Sequence, residues 1–218
     1  MKKYKLTTET LQFAGRTLHR IKAVKDFDYI KAGEFGGWIE NEKNLSQDDN
    51  AWIYDDAMVF DNAKVSGYAK VYGYAEVYGN ANVFGNANVS DYANVSGYAK
   101  VYGNANVSDY AKVYGYAEVY DNANVFGYAK VYGNAVIKGD AIVNDAVDYI
   151  VFKNFWSSGR YFTWTSSNNK WSVGCFYGTG EELIKKAYAD SEKSGREYER
   201  VVRYVESILA DEKKEKSN

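Results

Sequence analysis

His19 is the single imidazole in this 218-residue chain and Cys175 its single thiol. Those two, with the carboxylates, are where proton transfer, nucleophilic attack or metal binding would have to start. A histidine can act as general base toward a hydroxyl or amine. His19 sits in TLHRIKAV among apolar and basic neighbours, which reads as a structural or surface position; it is the one candidate base. Cys175 lies between Gly174 and Phe176 in a stretch that predicts a strand, so a buried, inert thiol is expected. Neither has soft neighbours at a zinc spacing, and no metal site is expected. Asp48, Asp49, Asp55, Asp56 and Asp61 cluster as hard-cation ligands do, but the pattern also reads as solvated corner acids. There is no glycine-rich phosphate loop, and no cofactor is expected.

Binding chemistry is better represented. The chain has 22 Tyr, 10 Phe and 5 Trp. Trp156, Arg160, Tyr161, Trp164 and Trp171 fall close together, and Trp, Tyr and Arg dominate interface energetics; the same residues also suit a small aromatic core. Lys plus Arg number 27 against 29 Asp plus Glu, so no basic field favours nucleic acid. The start, MKKYKLTTETLQ, lacks an apolar targeting core. No 18-residue apolar run exists, so no membrane partner is expected and a cytoplasmic location is.

These residues must be positioned by an unusual middle segment. A six-residue unit, A-x-V-x-[GD]-[NY], recurs from Ala51 through Ala141 without slipping. A fixed period identifies a stacked repeat. Ala and Val, two apart, point to one face of a short strand. Gly or Asp then suits a bend with positive φ. Three bends close a triangle after 18 residues, so sixteen hexads predict about five coils at ~4.8 Å each. Stacking would align Tyr74, Tyr92, Tyr110 and Tyr128 at one corner and Asn86, Asn104 and Asn122 at another. It would align Asn88, Asn106 and Asn124 on one face, with Tyr78, Tyr114, Tyr132 and Phe84, Tyr102, Tyr120 on the others. Such ladders hold register; exposed at this density, tyrosines also form an adhesive surface.

The chain divides into a β-rich N-terminal cap (1–50), the repeat (51–147) and a C-terminal strand-helix module (148–218). In the last, 149–155, 160–165 and 171–176 read as strands, with a turn at 166–169. Thr179 and Glu182 form a capping box. A helix with Leu183, Ile184, Ala187 and Tyr188 inward follows; Gly195 interrupts it, and Tyr198, Val201, Val202, Val205, Ile208 and Leu209 resume the period.

An aliphatic residue followed four positions later by a small one (Val65 and Ala69, Val71 and Ala75, Val77 and Ala81) resembles the hexapeptide-repeat, left-handed parallel β-helix family. Here Gly or Asp comes second after the aliphatic residue, where the family usually places Gly directly after it. The stretch KAGEFGGWIENEKNLS resembles bacterial and prophage hexapeptide-repeat proteins described as acyltransferases, and FKNFWSSGRYFTWTSSNNKWSVGCFYGTGEELIKKAY resembles a C-terminal module of prophage proteins. The resemblance implies an all-β solenoid and a homotrimer. Family enzymes use a histidine near the coils with acyl-CoA, often held by a loop extruded from the repeat; this repeat has neither. The reading is therefore a non-catalytic, oligomeric binding protein of phage or prophage type that sequesters a host protein or small ligand, with an anti-defence role. The alternatives are a hexapeptide-repeat acyltransferase with His19 as base, and a virion or fibre component.

Overall fold

The computed structural model describes residues 2–156 and 158–215. It divides into two units, Met1–Tyr149 and Ile150–Asn218.

In the first unit, strands β1 (Tyr4–Phe13) and β2 (Arg16–Ala23) form an antiparallel hairpin, and β2 pairs antiparallel with β3 (Phe35–Ile39). Sixteen two-residue strands follow among the described residues, β4 (Trp52–Ile53) to β19 (Ile142–Val143). Each pairs in parallel with the strands 18 residues away: Val89 lies between Val71 and Val107, Asn88 between Lys70 and Asn106. The result is a β-solenoid with three parallel sheets. The outward residues carry the ladder, as when Lys70 N–H donates to the Ala87 carbonyl at 2.9 Å and Tyr72 N–H to that of Val89 at 3.0 Å. Every inward Ala and Val of the hexads is buried. Three short sides enclose little volume, so only a small residue near each bend and a β-branched one mid-side fill it without overpacking.

Coiling starts earlier than residue 51. Trp38 and Ile39 pair in parallel with Met58 and Val59, and Leu45 bridges to Val65. The Asn44 amide donates to the carbonyls of Asp61 and Ala63 at 3.1 and 2.9 Å. About six turns result, one more than the hexads alone predict. This turn escapes the sequence period because its close approach is made by glycine: a Cβ on Gly37 would stand 2.5 Å from the Ala57 carbonyl oxygen.

The hairpin covers the first coils where the repeat departs from its consensus. Trp52, standing where the next four coils have Lys or Asn, packs edge-on to Tyr4 and Phe27 with centroids 6.2 and 5.3 Å apart. Arg16 lies over Phe60 and pairs with Asp61, and Arg20 lies over Trp38 and pairs with Asp56.

Lys3 is 1% exposed. Its Nζ donates to the carbonyls of Asp49 and Ala51, both at 2.7 Å, and reaches the Asp49 carboxylate at 3.4 Å. Burial pushes its ammonium down to about 8 from 10.5, against the pull of Asp49. Between those values the unfolded chain binds more protons than the folded one, so stability rises with pH through that window. Subtracting the unfolding free energy of a Lys3→Met variant isolates this group from the many tyrosines. The difference is expected to move in favour of the wild type between pH 8 and 10.5, on the order of 2–3 kcal/mol. Denaturant titrations at a series of pH values check it; a flat difference contradicts it.

In the second unit, β20 (Tyr149–Lys153), β21 (Tyr161–Thr165), β22 (Lys170–Val173) and β23 (Phe176–Gly178) form a four-stranded sheet in that order. Helices α1 (Gly180–Asp190) and α2 (Glu192–Glu215) follow. The capping box forms: Glu182 N–H donates to the Thr179 hydroxyl and Thr179 N–H to the Glu182 carboxylate. Two expectations need correction. The strand expected over 171–176 is two strands joined by a turn at Gly174 (φ 56°) and Cys175. The helical break falls at Ser191, extended at φ −172° and ψ 153°, whose hydroxyl accepts Ser194 N–H and caps α2. Gly195 lies inside α2 for a packing reason: a Cβ there would stand 2.2 Å from the Tyr188 ring. Alanine normally stabilises a helix interior by about 1 kcal/mol over glycine. Gly195→Ala is instead expected to lower the melting temperature by several degrees, on the order of a 1–2 kcal/mol loss; a raised melting temperature would contradict this.

Candidate functional site

The bends determine what the solenoid presents. Its corner glycines have φ of 63–76° and its corner aspartates, Asp55, Asp61, Asp91, Asp109 and Asp121, have φ of 51–60°. Asp tolerates this left-handed geometry better than other residues with a Cβ. It also caps the next coil: the carboxylates of Asp55, Asp61 and Asp109 accept the N–H of Gly73, Gly79 and Gly127 at 3.0, 3.2 and 3.0 Å. This is the physical content of the second-position Gly or Asp. The residue after each bend then points out from the edge.

At one edge that residue is Tyr74, Tyr92, Tyr110 and Tyr128. Their rings are 5.1–5.2 Å apart with planes within 4–10° of parallel. The four are 50 to 75% exposed. Stacking faces run along the solenoid axis, so ring edges and hydroxyls form the outer surface. A second edge, not singled out from the sequence, carries Tyr98 over Tyr116 at 5.1 Å; the same 18-residue spacing was the available signal. The third edge is polar, with Asn86 donating to Asn104 and Asn104 to Asn122 at 3.0 Å. Asn88, Asn106 and Asn124 form a like chain on one side.

The sides carry shorter stacks. Phe84, Tyr102 and Tyr120 lie 4.8 and 4.6 Å apart, with the Lys138 ammonium over Tyr120. Burial, then the Glu118 carboxylate that its hydroxyl bonds at 3.2 Å, pushes Tyr102 well above the usual phenol range. Tyr114 stacks on Tyr132, and Tyr78 on Phe60.

The candidates for chemistry are dispersed. His19 lies within β2, between Thr10 and Ile39 in the antiparallel sheet. Its ring makes no side-chain hydrogen bond among the described residues, so nothing orients it as a base is oriented in catalytic pairs. Cys175 is exposed in the turn between β22 and β23, not buried in a strand. The early acids are engaged in structure: Asp49 with Lys3 and Gly67 N–H, Asp55 with Gly73 N–H, Asp56 with Arg20, Asp61 with Arg16 and Gly79 N–H. Among the described residues no three His, Cys, Asp or Glu side chains are grouped to hold a metal.

The aromatic residues of the second unit do not form one face. Trp164 and Trp171, 3% and 2% exposed, pair across β21 and β22 and belong to the module's core with Phe162, Val202 and Leu183. Alternation in a sheet covered by helices draws them inward. Trp156 stays at the surface, stacked on Phe155 at 4.2 Å. Tyr161 lies under the Lys153 ammonium. Arg160 borders a cleft of about 280 Å³ between the sheet and α1.

The uninterrupted hexads, parallel sheets and inward Ala–Val column define a hexapeptide-repeat β-solenoid. The sequence matches no protein-family model. It is similar to a protein of Escherichia coli (strain K12) described as the uncharacterized acetyltransferase YdcK, 39% identical over 62 residues. The match covers 25% of this chain and 19% of that protein's length. No helix among the described residues is long and apolar enough to cross a membrane.

Proposed function

We propose that this protein is a non-catalytic, cytoplasmic binding scaffold that works as a homotrimer. The observation that carries the reading is the edge of four parallel, exposed tyrosines, Tyr74, Tyr92, Tyr110 and Tyr128. Contiguous exposed aromatic surface is uncommon on a monomer. Tyrosine gives contact area with a polar tip at little cost in rotamer freedom. A ladder with a 5.1–5.2 Å rung spacing also favours a particular partner. A second copy of the chain shares that period along its own tyrosine edge, so rungs meet without drift.

The task of the trimer is to sequester a host protein or small ligand. The likeness of residues 31–46 and of the C-terminal module to prophage proteins supports a host-directed, anti-defence role. Native mass spectrometry tests the reading: three chains are expected, carrying a retained mass when purified from the natural host. A single chain with no added mass would overturn it.

The partial similarity to the uncharacterized acetyltransferase favours one second reading, acyl transfer from acyl-CoA with His19 as base. On that reading His19→Ala abolishes acetyl transfer. On the scaffold reading no acetyl-CoA turnover is seen in either protein.

A further inference from the structure

The cleft of the second unit has a composition that the tyrosine edge does not explain. Its floor reaches the core, through Leu183, Val173 and Tyr198. Its rim carries two cations. Arg160 lies along the β22–β23 turn, its guanidinium atoms 3.6–3.9 Å from where a Cβ on Gly174 would be, so the cation is seated against backbone. Lys186 projects from α1. Neither makes a salt bridge among the described residues, though Asp190 stands one turn beyond Lys186 on α1 and is the cleft's one carboxylate.

Tyr198 adds a third polar group to the lining. Tyr198 is 7% exposed, and its hydroxyl has no hydrogen-bond partner among the described residues. No fully buried side-chain oxygen or nitrogen among them is left unpaired. The hydroxyl of this otherwise buried residue therefore keeps some contact with solvent, and Tyr198 lines the cleft. A buried tyrosine usually finds a partner, and here that place is open.

We infer that this cleft is a binding site for a small carboxylic acid with an apolar body, an arylalkanoate or branched alkanoate. The apolar part covers Leu183 and Val173. The carboxylate accepts hydrogen bonds from Arg160, Lys186 and the Tyr198 hydroxyl. Net charge of the lining is +1, from two cations and one carboxylate, and Arg suits a carboxylate by its paired donors. A volume of about 280 Å³ is at the small end for ligand sites, so about ten heavy atoms fit. The inference is independent of the trimer, since it uses none of the solenoid's residues.

The test is calorimetric titration of the full chain with 3-phenylpropanoate and, separately, its neutral isostere 3-phenylpropanamide. The acid is expected to bind with a Kd on the order of 1 mM or tighter, at least about tenfold better than the amide. Arg160→Gln with Lys186→Gln, both exposed positions, is expected to abolish that preference while leaving the fold intact. Tyr198→Phe is expected to weaken the acid severalfold. Cys175, exposed on the same cleft, supplies a second readout: saturating acid is expected to slow its alkylation by iodoacetamide. No saturable binding of the acid, equal binding of acid and amide, or a preference that survives in the double variant would each overturn the assignment.

Discussion

With Tyr92 and Tyr110 both replaced by serine, the protein is expected to run as single chains where the wild type is expected to run as a trimer, with its coils intact. These are the two central rungs of the four-tyrosine edge, each stacked on both sides at 5.1–5.2 Å. The centre of an apolar patch is where truncation costs most, about 2 kcal/mol or more per anchor residue. Two such losses at each subunit contact weaken it about a thousandfold, enough to dissociate the assembly at micromolar concentration. The coil itself loses less. Ring stacking contributes about 0.5–1.5 kcal/mol per pair, while the backbone ladder through Tyr92 N–H and the Asp109 carbonyl, and the inward Ala93 and Val95, are untouched. Tyr92→Phe with Tyr110→Phe separates ring from hydroxyl: it keeps the stack and is expected to keep most of the assembly. Analytical ultracentrifugation gives the mass and circular dichroism the integrity of the coils. A wild type already monomeric, or a serine variant of unchanged mass, would remove the self-association reading.

The repeat was legible because one physical requirement recurs at every sixth residue. Ala51 to Val143 had to fill a narrow interior, and the bends had to accept positive φ, so residue type alone reported geometry. The ladders followed by counting to 18. What escaped were contacts between residues far apart in sequence that obey no period. Lys3 is buried by Asp49 and Ala51, more than forty positions away, and nothing in MKKYKL distinguishes it from its neighbours. The coil through Trp38, Ile39 and Leu45 keeps an aliphatic residue opposite Val59 and Val65 but puts Gly37 where the next coil has Ala57, and Asn44 bonds the backbone beside Leu45. In the second unit, composition marked an aromatic module but not which aromatics face inward. Trp164 and Trp171 went to the core because β21 and β22 place them opposite each other beneath the helices. Arg160 remained at a cleft whose other walls come from the β22–β23 turn with its flanking strands, α1 and α2. The cleft was therefore invisible to a reading that grouped residues by proximity along the chain.

The period also makes the bends the most sensitive points of the fold, and Gly97 exposes this. It has φ of 67°, and a Cβ there would stand 2.9 Å from the backbone nitrogen of Gly115 in the next coil. Valine is expected to fail on both counts. A β-branched residue in the left-handed region is a true outlier, costing on the order of 1–3 kcal/mol, and crowding the backbone above adds a similar amount. Aspartate at the same place is expected to be tolerated, within about 1 kcal/mol of the wild type. It accepts left-handed backbone at little cost, and its carboxylate reaches the corner N–H above, as Asp61 does for Gly79 in the same column at 3.2 Å. At a neighbouring corner, the consecutive coils of Asp91 and Asp109 already accommodate a Cβ. Gly97 precedes Tyr98, whose ring stacks on Tyr116, so a displaced bend also shifts a rung of that edge. Gly97→Val is thus expected to lower the denaturation midpoint sharply and Gly97→Asp to leave it nearly unchanged. If both variants lost stability alike, close packing between coils, rather than the left-handed bend and its capped N–H, would be what selects Gly and Asp at the corners.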